Sequence, residues 1–300
     1  MPRSAAVNLS RFLVGVVVLS ALPLQAAVLG EPSGTGPFPA VAELRDDLPT
    51  HTIYRPAKLP SAPLPLFVWG NGACRDNGLA HGAFLRQIAS QGYFVVSLGR
   101  PREERPFNPN PQPPAPPPAP AAGATPGAPP RNTPDETQAA QMLEAIDWAT
   151  RENARAGGEF AGHIDVSRIG VGGHSCGGLQ ALAVSHDPRI DTTMVLNSGI
   201  YVRTDNARSG VSIDKSQLAR LHGPMLYLDG GPEDIAYPNA ADDVARIGHV
   251  PVFRASLPVG HGGTFWTQRD GGEWARVATR WLDWQLGRSA DASWDFAGPE

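Results

Sequence analysis

The chain has 300 residues, of which 41 % are hydrophobic and 18 % are charged. This length and apolar content allow one sizeable core and exclude a fully disordered protein. The formal net charge of -4, from 25 basic and 29 acidic residues, excludes a protein that binds nucleic acid by bulk electrostatic attraction. The two cysteines have no spacing typical of a zinc site. The sequence implies no metal and no organic cofactor.

Residues 1–26 have the pattern of a signal peptide. Arg3 and Arg11 supply positive charge, residues 12–24 are almost entirely apolar, and small residues at 26 and 27 suit signal peptidase. The alternative is a membrane anchor, but an apolar run of roughly 13 residues is shorter than the roughly 20 that span a bilayer. Loss of the two arginines leaves 23 basic and 29 acidic residues, a charge of -6. We expect a secreted or periplasmic protein, without a membrane span after cleavage, in which a disulfide could persist.

Beyond a loop-like leader at 29–49, short apolar runs alternate with amphipathic stretches. This alternation predicts an α/β fold with a mostly parallel sheet and helices on both faces. The predicted strands are 52–55, 64–69, 93–98, 168–172, 192–197, 225–229 and 252–257. The predicted helices are 79–91, 137–151, 176–185, 239–247 and 272–286.

The helix at 137–151 has the best-defined predicted start. Thr133 is placed as its N-cap, Pro134 as its first residue, and Glu136 completes a capping box with Thr133. Its predicted buried face consists of Met142, Leu143, Ile146 and Ala149.

Residues 101–134 include 14 prolines among 34 residues, and this composition favours extended polyproline conformation. The segment follows a predicted strand and precedes a predicted helix, so we interpret it as an insertion within a single domain at 27–300. It is either a solvated surface loop or part of the rim or lid of a site, because loops at the carboxyl ends of parallel strands lie where such sheets bind ligands. Residues 198–223 leave no room for a large cap domain and contain one possible short helix at 215–221.

Gly173-His174-Ser175-Cys176-Gly177 matches the pattern G-x-S-x-G. The pattern lies between a predicted strand and a predicted helix, which is the setting of a nucleophilic serine on a tight turn. Glycines are needed there because such a turn leaves no room for neighbouring side chains. Ser175 is therefore the candidate nucleophile.

A serine nucleophile needs a histidine base and an acid that orients the base. His261 follows the last predicted strand and is the candidate base, the alternative being a surface histidine in a glycine turn. Asp234, in the loop after the strand at 225–229, is the candidate acid. Asp229 is its rival, and Glu233 and Asp242 are weaker candidates. The remaining histidines lack a suitable place; they are His51, His81, His163, His186, His222, His249 and His174.

Two backbone amides are candidates for an oxyanion hole, which usually uses the amide after the nucleophile and one after the third strand. The first is the amide of Cys176. The second lies in the glycine-rich turn after the strand at 64–69, where we favour the amide of Asn71.

Between about residues 52 and 287, the chain resembles the dienelactone-hydrolase and polyester-hydrolase (cutinase-like, PET-hydrolase-like) branch of the α/β-hydrolases. The resemblance rests on residues 173–178, 69–72, 88–93, 234–236 and 260–262. It implies an α/β-hydrolase fold without a large cap and gives Asn71 an oxyanion role that an aromatic residue often fills in polyester hydrolases. This departure and the insertion at 101–134 leave the substrate open.

Cys74 lies in the candidate oxyanion loop and Cys176 adjoins the nucleophile, so the folded site should bring the two together. They form either a disulfide or two buried thiols. Trp69, Trp266 and His174 are candidate pocket residues, although core packing explains the two tryptophans equally well. Trp274, Trp281 and Trp284 have the spacing of the buried face of a C-terminal helix.

Together these features predict an exported, monomeric serine hydrolase that cleaves carboxylic esters, either small or polymeric, through an acyl-enzyme. A serine peptidase or amidase on the same fold is the first alternative. A non-catalytic binding protein that uses the proline-rich segment as a docking arm is the second. No nucleic-acid partner is expected.

Overall fold

A computed structural model of the protein describes residues 26–110, 136–203 and 211–297. The predicted signal peptide, except for Ala26, lies outside these residues. So do residues 111–134 of the proline-rich insertion, including Thr133 and Pro134. No helix within the described ranges is long and apolar enough to cross a membrane.

The described residues form nine strands, six α-helices and several short 3-10 helices. The strands are β1 (Ala26–Ser33), β2 (Ala40–Arg45), β3 (His51–Pro56), β4 (Leu64–Gly70), β5 (Phe94–Leu98), β6 (Ile164–His174), β7 (Thr192–Leu196), β8 (Met225–Asp229) and β9 (Val252–Ser256). The helices are α1 (Gly82–Ser90), α2 (Ala140–Ala154), α3 (Cys176–Val184), α4 (Tyr237–Arg246), α5 (Gly272–Gln285) and α6 (Trp294–Ala297). The 3-10 helices are Gly72–Cys74, Lys215–Arg220, Arg269–Gly271 and Ala290–Ser293.

All nine strands belong to one sheet, in the order β1-β2-β3-β5-β4-β6-β7-β8-β9. The first three strands pair antiparallel, and β3 joins β5 antiparallel. The six strands from β5 to β9 pair parallel. The prediction of an α/β fold with a mostly parallel sheet is confirmed. The parallel strands place their carboxyl ends, and the loops that follow them, along one edge of the sheet.

Helices cover both faces of this sheet, as the alternation along β4 shows. Phe67 and Trp69 pack in a buried cluster with side chains of α1 and α5. Leu66 and Val68 point to the opposite face and pack with side chains of α2 and α3. The expected core positions on α5 are found, since Trp274 and Trp281 are each 1 % exposed and Trp284 packs partly buried against the same cluster.

Residues 29–49 are not a loop-like leader, because they contain most of β1 and all of β2. β1 is exposed along most of its length and therefore lacks an apolar alternation. In β2 two charged residues are buried: Glu43 accepts hydrogen bonds from Arg45 at 3.0 Å and from Arg55 at 2.7 Å. Burial of these charges depends on mutual pairing across β2 and β3, which no local sequence pattern reveals.

The predicted start of α2 is also wrong. The helix begins at Ala140, and its N-cap, Ala139, makes no side-chain capping bond. The residues expected to begin the helix instead contact the loop after β4: Glu136 forms an isolated bridge with Arg75, and the hydroxyl of Thr137 donates to the carbonyl of Cys74 at 3.1 Å. Elsewhere the predicted helices and strands agree with the structure to within four residues at each end.

Candidate active site

Ser175 lies at the turn between β6 and α3, with φ 54° and ψ -120°. Non-glycine residues adopt a positive φ only where the surroundings enforce it, so the turn holds this serine in a strained conformation. A Cβ on Gly177 would overlap the carbonyl of Gly70, and one on Gly178 would lie 2.5 Å from Cβ of Ser198. The glycines of the motif thus allow α3 to pack directly on β4 and on the residues after β7.

Ser175, His261 and Asp234 form one continuous chain of hydrogen bonds. The Ser175 hydroxyl donates to Nε2 of His261 at 2.9 Å, and Nδ1 of His261 donates to Oδ1 of Asp234 at 2.6 Å. The three residues follow β6, β9 and β8, whose carboxyl ends meet at the same edge of the sheet. In such a chain the imidazole can take the serine proton while the carboxylate stabilises the imidazolium that forms.

The Asp234 carboxylate is buried and accepts four hydrogen bonds. Besides the bond from His261, Oδ1 accepts from the amide of Ala236 at 2.9 Å. Oδ2 accepts from the amide of Gly230 at 3.0 Å and from Nδ2 of Asn197 at 2.9 Å. Burial by itself raises the pKa of Asp234, but the hydrogen bonds from His261, Ala236 and Gly230 outweigh it and lower that pKa to about 2. The group is therefore ionised across the physiological pH range.

The rival acids have other partners. Asp229 is fully buried, and its carboxylate accepts from Arg254 at 2.7 Å and from the hydroxyl of Ser256 at 2.6 Å, both on β9. Asp242 pairs with Arg246 and Lys215. Glu233 is exposed.

Most of the other histidines contact groups away from Ser175. His51, His163, His222 and His249 each bond a backbone carbonyl, and His186 contacts Gln217. His81 and His174 are the exceptions, because both line the cavity in front of Ser175.

His174 connects the turn of Ser175 to the turn of His261. Its Nε2 donates to the backbone carbonyl of His261 at 2.8 Å. Burial, with the nearby His261 adding to it, lowers the pKa of His174 to about 3, so its ring is neutral at pH 7. The ring centroid of His81 lies 5.1 Å from that of His174, and burial followed by the proximity of His174 holds the pKa of His81 well below its usual value. The neutral ring of His174 therefore packs against His261, with the two ring centroids 5.3 Å apart, and the neutral ring of His81 packs against His174.

The cavity in front of Ser175 has a volume of about 480 Å³. Its wall includes backbone of the loop after β4, two arginines, one tryptophan and both neutral histidines. The lining residues are Gly72, Ala73, Arg75, Asn77, Ala80, His81, Glu103, Arg105, Pro106, His174, Ser175, His261, Gly262 and Trp266. Of the candidate pocket residues, His174 and Trp266 line the cavity, whereas Trp69 is fully buried and packs against the ring of His81.

The side chain of Asn71 is fully buried and does not line the cavity. Its Oδ1 accepts from Trp69 at 3.2 Å and from His81 at 3.0 Å, while its Nδ2 donates to the carbonyl of Leu98 at 2.7 Å. The side-chain amide of Asn71 therefore attaches the loop after β4 to the core. Cys176 is the first residue of α3, and the first amides of a helix have no intrahelical acceptor. The oxyanion role of the two backbone amides remains a prediction.

Cys74 and Cys176 form a disulfide, which decides between the two alternatives that the sequence left open. The bridge joins the 3-10 helix Gly72–Cys74 to the start of α3, directly beside Ser175.

The first residues of the proline-rich insertion form part of the cavity rim. Arg105 stacks over the ring of Trp266, with its guanidinium carbon 4.0 Å from the ring centroid, and the amide of Asn108 donates to the carbonyl of Trp266 at 2.8 Å. The amide of Arg102 donates to Oδ1 of Asn77 at 3.2 Å. Residues 101–110 therefore run along the site and are attached to two of its lining residues, Asn77 and Trp266.

Asn197, His81 and Arg105 are residues of the site that the sequence did not single out. Asn197 directly follows β7, so its place at the carboxyl edge of the sheet is the signal that could have found it. His81 lies outside any motif, and Arg105 lies in the proline-rich insertion, where composition and position in the chain single out no residue.

No protein-family model matches this chain, and no curated protein matches it. Among the residues that the structure describes, no group of three or more His, Cys, Asp or Glu could hold a metal ion.

Proposed function

We propose that the protein is a serine hydrolase of the α/β-hydrolase fold that cleaves carboxylic esters through an acyl-enzyme. The observation that carries this proposal is the Ser175–His261–Asp234 hydrogen-bond chain, which opens onto a cavity of about 480 Å³. Its order along the chain, Ser then Asp then His, is that of the α/β-hydrolases. The resemblance to the dienelactone-hydrolase and polyester-hydrolase branch agrees with this fold.

In the proposed reaction, the Ser175 hydroxyl attacks the ester carbonyl while His261 removes its proton. A bond forms between Oγ and the carbonyl carbon, and the negative charge moves to the carbonyl oxygen. His261 then protonates the departing alcohol, which leaves the acyl group on Ser175. A water molecule, deprotonated by His261, hydrolyses this acyl-enzyme and restores the serine hydroxyl.

The carbonyl oxygen needs donors when it becomes negative, and backbone amides near Ser175 can supply them. One is the amide of Cys176 at the start of α3, where the helix dipole also favours negative charge. The other comes from residues 71–73, of which Gly72 and Ala73 line the cavity. Loss of one such donor typically lowers turnover by about 100- to 1,000-fold.

We also propose that the protein is exported to the periplasm or secreted. The signal-peptide pattern of residues 1–26 and the disulfide support this location, because disulfides persist in oxidising compartments.

The test is hydrolysis of p-nitrophenyl esters, from acetyl to palmitoyl, by protein starting at Ala27. Ser175→Ala should lower kcat by about 10⁶-fold, as removal of a triad nucleophile does. Ser167→Ala is the matched control, because this serine is exposed at the start of β6 and its hydroxyl donates to the neighbouring Asp165 at 2.6 Å. A fluorophosphonate should label the wild type and the Ser167→Ala variant but not the Ser175→Ala variant.

Wild-type rates in the Ser175→Ala variant would disprove the proposal. Cleavage of amides but not of esters, again dependent on Ser175, would identify a peptidase or amidase on this fold. Folded wild type that neither cleaves a substrate nor reacts with the fluorophosphonate would indicate a binding protein.

A further inference from the structure

Asn197 lies at the carboxyl end of β7, between the strands that lead to Ser175 and to Asp234. It directly follows β7, is fully buried, and has φ 47°. The backbone amide of Asn197 donates to the carbonyl of Leu228 on β8 at 2.7 Å. The carbonyl of Leu196, the residue before it, accepts from the backbone amide of Ser175 at 3.0 Å. The backbone at the end of β7 is thus bonded both to the turn of the serine and to the strand that leads to the acid.

The orientation of the Asn197 carboxamide follows from its partners. Nε1 of Trp274 lies 2.7 Å from one end of the amide, and an indole nitrogen can only donate, so that end must be Oδ1. The other end, Nδ2, donates to Oδ2 of Asp234 at 2.9 Å and to the carbonyl of Gly260 at 3.1 Å. Because Asp234 is ionised, neither its carboxylate nor the carbonyl of Gly260 can donate a hydrogen bond. This agrees with the assignment of Nδ2 as the donor.

We propose that Asn197 is a positioning residue for the triad, and that Trp274 holds its amide in the required orientation. This inference rests on the proposed function. One amide proton neutralises part of the charge on Oδ2 of Asp234 and fixes the carboxylate plane, so that Oδ1 faces His261. The other fixes the carbonyl of Gly260, the residue before His261. The base and its orienting acid are thereby held by a single side chain.

Trp274 also holds the residues that follow His261 in its turn. The amide of Trp274 donates to the hydroxyl of Thr264 at 2.9 Å, and that hydroxyl donates to the carbonyl of Gly271 at 2.7 Å. A Cβ on Gly263 would lie 2.9 Å from Oδ1 of Asn197 and closer still to the indole nitrogen, so the turn packs directly on the pair. The turn of His261 is therefore fixed by Asn197 before it and by α5 after it.

Asparagine meets two requirements at this position that few residues meet together. It tolerates the left-handed backbone conformation better than other residues with side chains. Its amide also offers one acceptor to Trp274 and two donors to Asp234 and Gly260. Aspartate would have the same shape but would place a second carboxylate against Asp234.

The experiment compares three variants with the wild type in the ester assay. Asn197→Gly removes the side-chain amide and keeps the positive φ accessible, and Trp274→Phe removes the indole donor while keeping an aromatic ring in the core. Asp270→Gly is the matched control, because Asp270 also has a positive φ, 54°, and does not line the cavity of Ser175. We expect Asn197→Gly to lower kcat by about 10- to 100-fold, a loss like that seen when a side chain that orients a metal ligand is removed.

KM should stay within about twofold in this variant, since Asn197 does not line the cavity. Trp274→Phe should lower kcat in the same direction by less, and Asp270→Gly should match the wild type. Circular dichroism at the assay temperature establishes that each variant is folded.

A double-mutant cycle separates positioning from a purely structural role. If Asn197 acts through Asp234, then Asn197→Gly should cost little further kcat, within about threefold, in an Asp234→Asn background. Full multiplication of the two losses would overturn the proposal, because the two residues would then act independently.

A second readout needs no substrate. The short bond between Nδ1 of His261 and Asp234 should give a downfield proton resonance, which we expect in the wild type and in Asp270→Gly. It should broaden or disappear in Asn197→Gly. An unchanged resonance with wild-type kcat would disprove the positioning role. If Ser175→Ala instead keeps full activity, the proposed function fails, while the resonance still decides whether Asn197 holds this hydrogen bond.

Discussion

The disulfide between Cys74 and Cys176 joins the loop after β4 to the residue that directly follows Ser175, with their Cα atoms 5.1 Å apart. Gly72 and Ala73, in the same loop as Cys74, line the cavity. The bridge therefore fixes the distance between the two backbone segments to which we assign the oxyanion donors.

Removal of this bridge should lower both stability and turnover. The two cysteines are 102 residues apart. A crosslink that closes a loop of this length lowers the entropy of the unfolded chain and so stabilises the folded state by about 4–5 kcal/mol. The double variant Cys74→Ala/Cys176→Ala should lose about that much free energy of unfolding, measured with urea. We expect its kcat to fall by less than the roughly 100-fold cost of a lost oxyanion donor, because the amides remain. Reduced wild type is the control and should match the variant; an unfolding free energy equal to that of oxidised wild type would contradict the prediction.

Gly177→Ala should be poorly folded, because its new Cβ would overlap the backbone carbonyl of Gly70, which has no side-chain freedom to move aside. Excess atoms in a packed interior typically cost about 1–3 kcal/mol, and backbone overlap is at the upper end. Gly248→Ala is the matched control, since nothing lies within 4 Å of its Cβ position and its φ is not positive. Thermal unfolding of both variants tests this expectation. Equal melting temperatures would show that α3 can move away from β4.

The arrangement around Ser175 was accessible from the sequence because it depends on local signals. An apolar run, a glycine-rich turn and a helix follow one another at 168–185, and the candidate histidine and acid each lie just beyond a predicted strand. Parallel strands bring such ends to one edge, and the structure indeed places Ser175, His261 and Asp234 in contact. Whether these residues catalyse a reaction remains a prediction.

What the sequence could not reveal depends on contacts between distant segments. Glu43 is buried in β2 only because Arg45 and Arg55 lie beside it, so a strand with two charges resembled a loop. The capping box before α2 had suitable residues, but Thr137 bonds the carbonyl of Cys74 instead. Asn197 has no motif, and its importance depends on Trp274, which is 77 residues away.

His174 should make the folded state less stable in acid. Its pKa is lowered to about 3 in the folded protein, mainly by burial, whereas the pKa of an unfolded histidine is about 6.5. Between these values the unfolded chain binds one more proton than the folded chain at this position, so stability falls as the pH falls from about 6.5 towards 3. Above about 6.5 this contribution to stability is fully present.

His174→Gln should weaken this pH dependence, since glutamine does not titrate and its amide can still donate to the carbonyl of His261. The free energy of unfolding is measured with urea at pH 7, 6, 5 and 4. Its slope against pH should be smaller in the variant than in the wild type, by up to about 1.4 kcal/mol per pH unit. Some dependence will remain, because burial also lowers the pKa of His81 and His51. Identical slopes in the variant and the wild type would show that His174 is not buried as a neutral ring.

Trp266 should limit the size of the acyl group or alcohol that the cavity accepts. Its ring lines the cavity in front of Ser175, and its Nε1 donates to the carbonyl of Ala80 at 2.8 Å. Trp266→Ala removes this ring, so the ratio of kcat/KM for octanoyl to acetyl esters should rise by about 10-fold or more, as expected when a pocket gains space for several methylenes. Trp266→Phe keeps an aromatic wall and is the control, with a ratio near that of the wild type. The same ratio in all three proteins would show that the ester does not contact Trp266.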